Sequence, residues 1–302
     1  MSLILCTIVT PDYVDRAVAL ALSARRSSSG AEYHVLTTGP TCQAAPGIKF
    51  LDLDTLCERL PEAAGVRKKY GHDRDRLRWC LKPVLMGHLL RENLTRTVIY
   101  ADSDIAFFRP PELLADLIGS GDVLLTPHWR PQNPVGSTRN FRLNYMDGLF
   151  NAGCVTAVAS GASALQWWAD ACLSACEQNR EEGLWDDQRY LDLMPIYFDG
   201  TVICRDRGFN LADWNHHLRV PDERGRRHVP DVWPVSMVHF TPNTIKRIER
   251  GEDPLLEPYL NEHKEMLVEA SSIIRTGSEA HGIHRHRLPD QLDEAGAVPA
   301  DT

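Results

Sequence analysis

No stretch of this chain approaches the length of apolar sequence that spans a bilayer, and the opening Met1-Ser2-Leu3-Ile4-Leu5-Cys6-Thr7-Ile8-Val9 lacks a basic leader and a small-residue cleavage site. A transmembrane segment and a secretory signal are therefore not expected, and the opening reads as a first buried strand. The eight cysteines are scattered and contain no C-x-x-C pair, which argues against a disulfide framework or a structural zinc site. Most sit in apolar segments, where free cysteine behaves as a small hydrophobe, so a reducing cytoplasm is the expected setting. Positive charge is also in short supply. A net charge of -8 over 302 residues argues against broad attraction to nucleic acid or to an anionic membrane surface, so a phosphate-bearing ligand needs a local cation site. No internal repeat or clear linker breaks the chain. One domain over 1–275 and a polar, mobile tail over 276–302 are expected.

What is present alternates in type. Leu3 to Val9 reads as a strand, and Thr10-Pro11-Asp12 as a helix start, with a capping hydroxyl, a proline at the first helical position and an acid in the first turn. That helix should run to about Arg26. Tyr33 to Thr37 and Lys49 to Leu53 read as further strands, the pattern of a doubly wound α/β sheet. Asp73 to Arg91 is a charged, partly amphipathic segment in which Pro83 should break the helix or start a second one. Pro110-Pro111 opens a short helix and Asp122 to Thr126 a strand. His128 to Asn144 is polar and shows no sustained period, which predicts a long loop. Strand character resumes over Gly148 to Val158, helical spacing over Ala162 to Cys176, a last strand over Val235 to Phe240 and a last helix over Pro254 to Ile274.

The sharpest chemical signal is Val98-Ile99-Tyr100-Ala101-Asp102-Ser103-Asp104, an apolar strand ending in two aspartates with one small residue between them. Residues i and i+2 of an extended segment share a face, so Asp102 and Asp104 can turn their carboxylates toward one cation, for which hard oxygen ligands suit Mg²⁺ or Mn²⁺. The competing reading is a solvated acidic turn. Downstream come Phe150-Asn151-Ala152-Gly153, Trp185-Asp186-Asp187-Gln188, and His239-Phe240 with Lys246 beyond. Asn151 and Gly153 suit a turn against a sugar, since glycine allows close backbone approach and the Asn amide both donates and accepts. His239 ends a buried-looking strand and has a nitrogen to offer a metal.

In order and spacing, over about residues 3 to 250, these sites resemble the GT-A nucleotide-sugar glycosyltransferases, most closely the glycogenin-like and bacterial galactosyltransferase family 8. The resemblance implies an α/β GT-A fold, a Rossmann-like mixed sheet flanked by helices, and transfer of a sugar from a UDP-sugar to an acceptor that is a saccharide, natural product, lipid or protein. It implies Mn²⁺ or Mg²⁺ as cofactor, with Asp102, Asp104 and His239 as metal ligands and Asp102 sharing the ion or holding the ribose. It further implies that Asp187 binds donor-sugar hydroxyls, that Gln188 lies by the reacting carbon, and that Lys82 is a basic residue near the donor, against the alternative of a solvated helix lysine. Thr7 and Val9, within a wall from Cys6 to Thr10, are expected near the base. Lys246 is expected to reach the diphosphate, although its surroundings depart from the family, whose lysine lies one residue closer with glycine and proline-tryptophan beside it. Retention of anomeric configuration is expected because no inverting base is evident.

Two other classes stand beside this reading. An aspartate-nucleophile phosphohydrolase also uses Asp-x-Asp after a strand, although there the motif opens the fold and is followed by threonine, not Ile105. A non-catalytic nucleotide-sugar binding protein would need only the fold. Trp129, Arg130, Trp214, Asn215, His216, His217 and Trp233 suit gripping of a sugar or polar acceptor, or pinning of long loops to the core. His281, His284 and His286 lie in arginine-rich sequence that reads as a solvated tail.

Overall fold

The computed structural model describes residues 3–28, 30–40, 45–94, 96–219 and 233–280. Strand β1 (Leu3–Val9) is buried along its whole length. Its side chains alternate between two cores, Ile4, Cys6 and Ile8 packing on one side and Leu3, Leu5 and Val9 on the other, as the period of two in a strand requires. That strand is central because both of its faces are apolar.

In chain order there follow α1 (Val14–Ser27), β2 (Ala31–Thr37), β3 (Ile48–Asp52), α2 (Leu53–Arg59), α3 (Pro61–Tyr70), α4 (Arg74–Glu92), β4 (Thr97–Ala101), β5 (Ile105–Phe107), α5 (Glu112–Ile118), β6 (Val123–Pro127), α6 (Thr138–Met146), β7 (Phe150–Ala157) and α7 (Ala162–Ser174). Then come β8 (Gln178–Asn179), β9 (Leu184–Trp185), α8 (Met194–Tyr197), β10 (Thr201–Ile203), β11 (Met237–His239), α9 (Pro242–Glu249) and α10 (Glu257–Ala280). Among the described residues the main sheet has seven strands in the order β10-β6-β7-β4-β1-β2-β3. β1, β2, β3 and β4 run parallel, and β7 is antiparallel to both β4 and β6, so the sheet is mixed, as expected. Helices α3, α4 and α7 cover one face, while α1 lies on the other with α10 against it.

Four local expectations need correction. Pro83 does not break α4, which runs through it. The segment from Cys80 to Leu90 is buried without interruption, and packing against β4 and α7 outweighs the one backbone hydrogen bond that proline removes. The Thr10 hydroxyl caps nothing; it accepts instead from the Arg74 guanidinium at 2.9 Å, and a single turn, Pro11–Tyr13, precedes α1. The expected loop from His128 to Asn144 contains most of α6, a helix with no buried residue and so no apolar stripe to betray it. Asn151 and Gly153 lie in β7 rather than in a turn. Helices α2, α3 and α9 were not expected at all, each being 10 residues or fewer. The histidines His281, His284 and His286 fall outside the described residues, as does Cys42. No described helix is long and apolar enough to cross a membrane.

Candidate active site

β4 ends at Ala101 and the chain turns tightly, Ile105 N–H bonding to the Asp102 carbonyl at 3.0 Å, before β5 begins. The turn leaves Asp102 and Asp104 on the same side of the sheet edge. β11 pairs antiparallel with β5, placing His239 opposite Ile105, and Phe240 N–H bonds to the Asp104 carbonyl at 2.8 Å. Two short strands from distant parts of the chain thus bring His239 Nε2 to 2.9 Å from Asp104 Oδ1. Ligand atoms of Asp102, Asp104 and His239 all lie within 4.8 Å of one another.

The charges respond to this proximity. Burial pushes the Asp104 carboxyl up, but the facing His239 outweighs it and leaves it at about 2. Burial likewise pulls the His239 imidazole down, and Asp104 and Asp102 raise it above its ordinary value. The other ring nitrogen, Nδ1, lies 3.3 Å from Asn151 Oδ1, which fixes the ring and leaves Nε2 facing the carboxylates. Trp214 stands edge-on to the same ring at 5.4 Å, and His128 edge-on to Trp214 at 5.0 Å.

Gly153 closes the site from β7. Its carbonyl accepts the Asp102 N–H at 2.8 Å, continuing the pairing of β4 with β7. A Cβ at this position would stand 2.6 Å from Asn151 Oδ1, 2.6 Å from His239 Cε1 and 2.9 Å from Asp102 Oδ2, so only glycine leaves this space open.

Beneath the aspartates lies a second set of charges. Lys82 projects from the middle of α4 and is 4% exposed, which rules out the solvated helix lysine. Its Nζ is 3.3 Å from Asp102 Oδ1, 3.3 Å from Asp187 Oδ2 and 3.3 Å from the Ala152 carbonyl oxygen. Burial disfavours the ammonium, yet Asp102, Asp187 and Asp186 together hold its pKa above the ordinary lysine value. Asp187 is 1% exposed, and burial pushes its carboxyl well up against the pull of Lys82. We take Lys82 as the charged partner shared by both carboxylates, since proton loss would leave the buried Asp187 carboxylate without its cation. Tyr100 completes the cluster, its hydroxyl donating to Asp102 Oδ1 at 2.8 Å.

Gln188 is held at three points. Its Oε1 accepts from Asn151 Nδ2 at 3.1 Å and Ala152 N–H at 3.3 Å, and its Nε2 donates to the Asp147 carbonyl at 2.7 Å. Asp186 just before it has a left-handed backbone with φ of 44°, a costly conformation for a non-glycine residue and one that clusters at functional sites. The sites at Lys82, Asp102, Asp104, Asn151, Gly153, Asp187, Gln188 and His239 therefore form one contiguous constellation.

Other expected residues lie elsewhere. Thr7 and Val9 are buried within β1 at 2% and 0% exposure. The neighbouring cavity opens beyond the strand ends, against Thr38, Gly39, Asp52 and Leu53. Lys246 is exposed on α9 and its side chain makes no hydrogen bond or ion pair among the described residues. Asn215 is buried and bonds to Ala212 N–H and the Asn210 carbonyl, a role in holding its loop. Arg78 was missed: one helical turn before Lys82 on α4, it pairs with Asp75 and also feels the charge of Asp102, and the i, i+4 spacing to Lys82 was the available signal.

No family model matches the chain. It is 24% identical over 250 residues to the uncharacterized protein YfnF of Bacillus subtilis (strain 168), covering 78% of this chain and 80% of YfnF. It is 27% identical over 175 residues to the uncharacterized protein YfnD of the same organism, covering 55% of this chain and 53% of YfnD. Among solved structures, an active-site mutant of LgtC aligns with a TM-score of 0.52 at 16% identity, over 78% of this chain and 86% of that one. The galactosyltransferase LgtC in complex with donor and acceptor sugar analogs aligns with a TM-score of 0.51 at 15% identity, over 93% and 100% respectively. Identities this low establish architecture rather than chemistry: the chain has the GT-A glycosyltransferase fold displayed by LgtC.

Proposed function

We propose that this chain is a metal-dependent glycosyltransferase that moves a sugar from a nucleoside diphosphate donor, a UDP-sugar, to an acceptor hydroxyl with retention of configuration. The observation that carries this reading is the convergence of Asp102, Asp104 and His239 beside Gly153 in a GT-A fold. Two carboxylate oxygens and one imidazole nitrogen suit Mn²⁺ better than Mg²⁺, which favours oxygen alone. The space that a Cβ on Gly153 would fill fits the same reading, because it keeps the three ligand side chains accessible to one another. A bound divalent cation would offset the negative charge that grows on the diphosphate as the sugar bond breaks, worth several kcal/mol.

The chain's own residues supply the rest. Asn151 holds the His239 ring through Nδ1, and Tyr100 and Lys82 hold the Asp102 carboxylate. Gln188, fixed by three hydrogen bonds, is rigid where the donor sugar would lie. In the transfer the bond from C1 of the sugar to the diphosphate oxygen breaks and the acceptor oxygen bonds to C1 on the same face. The acceptor hydroxyl's proton passes to a diphosphate oxygen. Retention is supported by the condition of Asp187, the base an inverting reaction would have to use, which is buried and ion-paired to Lys82. The base and ribose are assigned to the cavity of about 450 Å³ at the carboxyl ends of β2 and β3, where open α/β sheets bind ligands. The phosphohydrolase reading loses support because Asp102 and Asp104 follow β4 in a GT-A fold instead of opening the sheet.

Thermal-shift titration with Mn²⁺ present should show stabilisation by UDP. Stabilisation by GDP or CMP but not UDP rejects the donor assignment, and no nucleoside diphosphate release from any of a panel of nucleotide sugars rejects the transferase. NMR of the first-formed product tests the stereochemistry: a β-linked product from an α-linked donor overturns retention and makes Asp187 the general base.

A further inference from the structure

A cleft of about 1090 Å³ opens beside the constellation, and its charge is opposite to that of the chain as a whole. Five arginines line it against two aspartates. It reaches the proposed chemistry from two directions. Trp214, which lines it, stands edge-on to His239, and Asp147, which also lines it, offers its carbonyl to Gln188. Under the transferase reading, on which this inference rests, this is where an acceptor would lie.

Most of the charges in the cleft are already satisfied. Asp147 takes Arg180 on Oδ1 at 2.9 Å and Arg130 on Oδ2 at 3.4 Å. Asp213 accepts from the hydroxyls of Thr241 and Thr244, and Arg247 pairs with Glu252 at 3.0 Å. Arg139 and Arg142 remain. Both are exposed, three residues apart on α6, and neither has an acidic partner among the described residues. α6 contains no acidic residue and buries none of its side chains, so its sequence serves neither a core nor a salt-bridged face. Two like charges at this spacing repel each other, and an anion between them removes that repulsion. Guanidinium forks match phosphate and carboxylate geometry with paired hydrogen bonds. Arg180 also stacks on Trp185 at 4.1 Å, and both line the cleft, so an aromatic side chain stands within the basic lining.

We propose that the acceptor is an acidic saccharide, bearing a phosphate or carboxylate group that Arg139 and Arg142 bind while its sugar ring lies toward Trp185 and Trp214.

Isothermal titration of the full chain with glucose 6-phosphate, glucuronate and glucose tests this, each run with and without saturating UDP and Mn²⁺. Both acidic sugars, or one of them, should bind at least tenfold tighter than glucose, whether or not UDP is present; the acid that binds names the oxyanion. The double variant Arg139→Gln, Arg142→Gln should lose that preference at least tenfold, and its circular dichroism should match the parent's, since neither side chain is buried. Equal affinity for the three sugars overturns the proposal, as does an acid preference that survives in the double variant. Displacement of the acidic sugar by UDP also overturns it, by assigning the anion to the donor. The same titrations separate the two readings. Absence of UDP binding with acid preference intact removes the transferase and with it the acceptor assignment, whereas UDP binding without acid preference removes this inference alone.

Discussion

Asp104 Oδ1 lies 2.9 Å from His239 Nε2, and the antiparallel pairing of β5 with β11 is what holds the two together. The two residues are 135 apart in the chain. Asp104→Ala should therefore remove metal-dependent turnover while leaving the pairing of Ile105 with His239 intact. A loss of at least about a hundredfold in nucleoside diphosphate release is expected, since each 1.36 kcal/mol is tenfold in rate. Near-parental turnover of this variant in the presence of chelator would sink the metal assignment.

Gly153→Ala probes the same site through space alone. The added methyl would stand 2.6 Å from His239 Cε1 and 2.9 Å from Asp102 Oδ2, closer than real contacts allow. Mn²⁺ affinity, read by electron paramagnetic resonance of the free ion, should fall about tenfold or more, as it does when the surroundings of metal ligands are disturbed. Unchanged affinity would show that Gly153 is not part of the metal environment.

Lys82 is the cation shared by Asp102 and the buried Asp187. Lys82→Met removes it and leaves a buried carboxylate without a partner, so urea unfolding should show a loss of about 3–5 kcal/mol at neutral pH. Acid should narrow the difference between variant and parent, because burial already favours the protonated form of Asp187. A variant within 1 kcal/mol of the parent at neutral pH would mean the ion pairs contribute no more than surface ones.

His263 of α10 stacks on Phe240 at 4.4 Å, and burial pulls its pKa from the ordinary 6.5 down to about 4. Between those two values the unfolded chain takes a proton that the native one refuses. The stability this imidazole contributes is complete above about pH 6.5 and is lost as the pH falls toward 4. His34 and His128 are pulled down by burial in the same direction, so the test is a difference. Between pH 7 and pH 4.5, His263→Leu should lose about 2 kcal/mol less unfolding free energy than the parent, from 1.36 kcal/mol per pKa unit. Identical slopes would place the acid sensitivity elsewhere.

The pattern of β1 and β4 was legible because an apolar run bounded by turn residues has few alternatives, and Asp102 with Asp104 followed from the period of two along a strand. Pro83 misled because local chemistry says break, while the burial of α4 on both sides of it says continue. α6 was invisible for the opposite reason: it buries nothing, and without an apolar stripe helical periodicity leaves no trace in the sequence.

The sequence by itself determined the alternation of strands and helices, the acidic pair at the end of β4 and the order of the residues that follow it, because each is a matter of local period and residue type. Only the tertiary structure decided that Lys82 is buried between two carboxylates, that Asn151 holds the His239 ring and that Gly153 is open where a side chain would close the site. Those facts depend on contacts between residues far apart in the chain. Burial then sets the strength of each charge, and burial is a property of the packed molecule, written in no single segment.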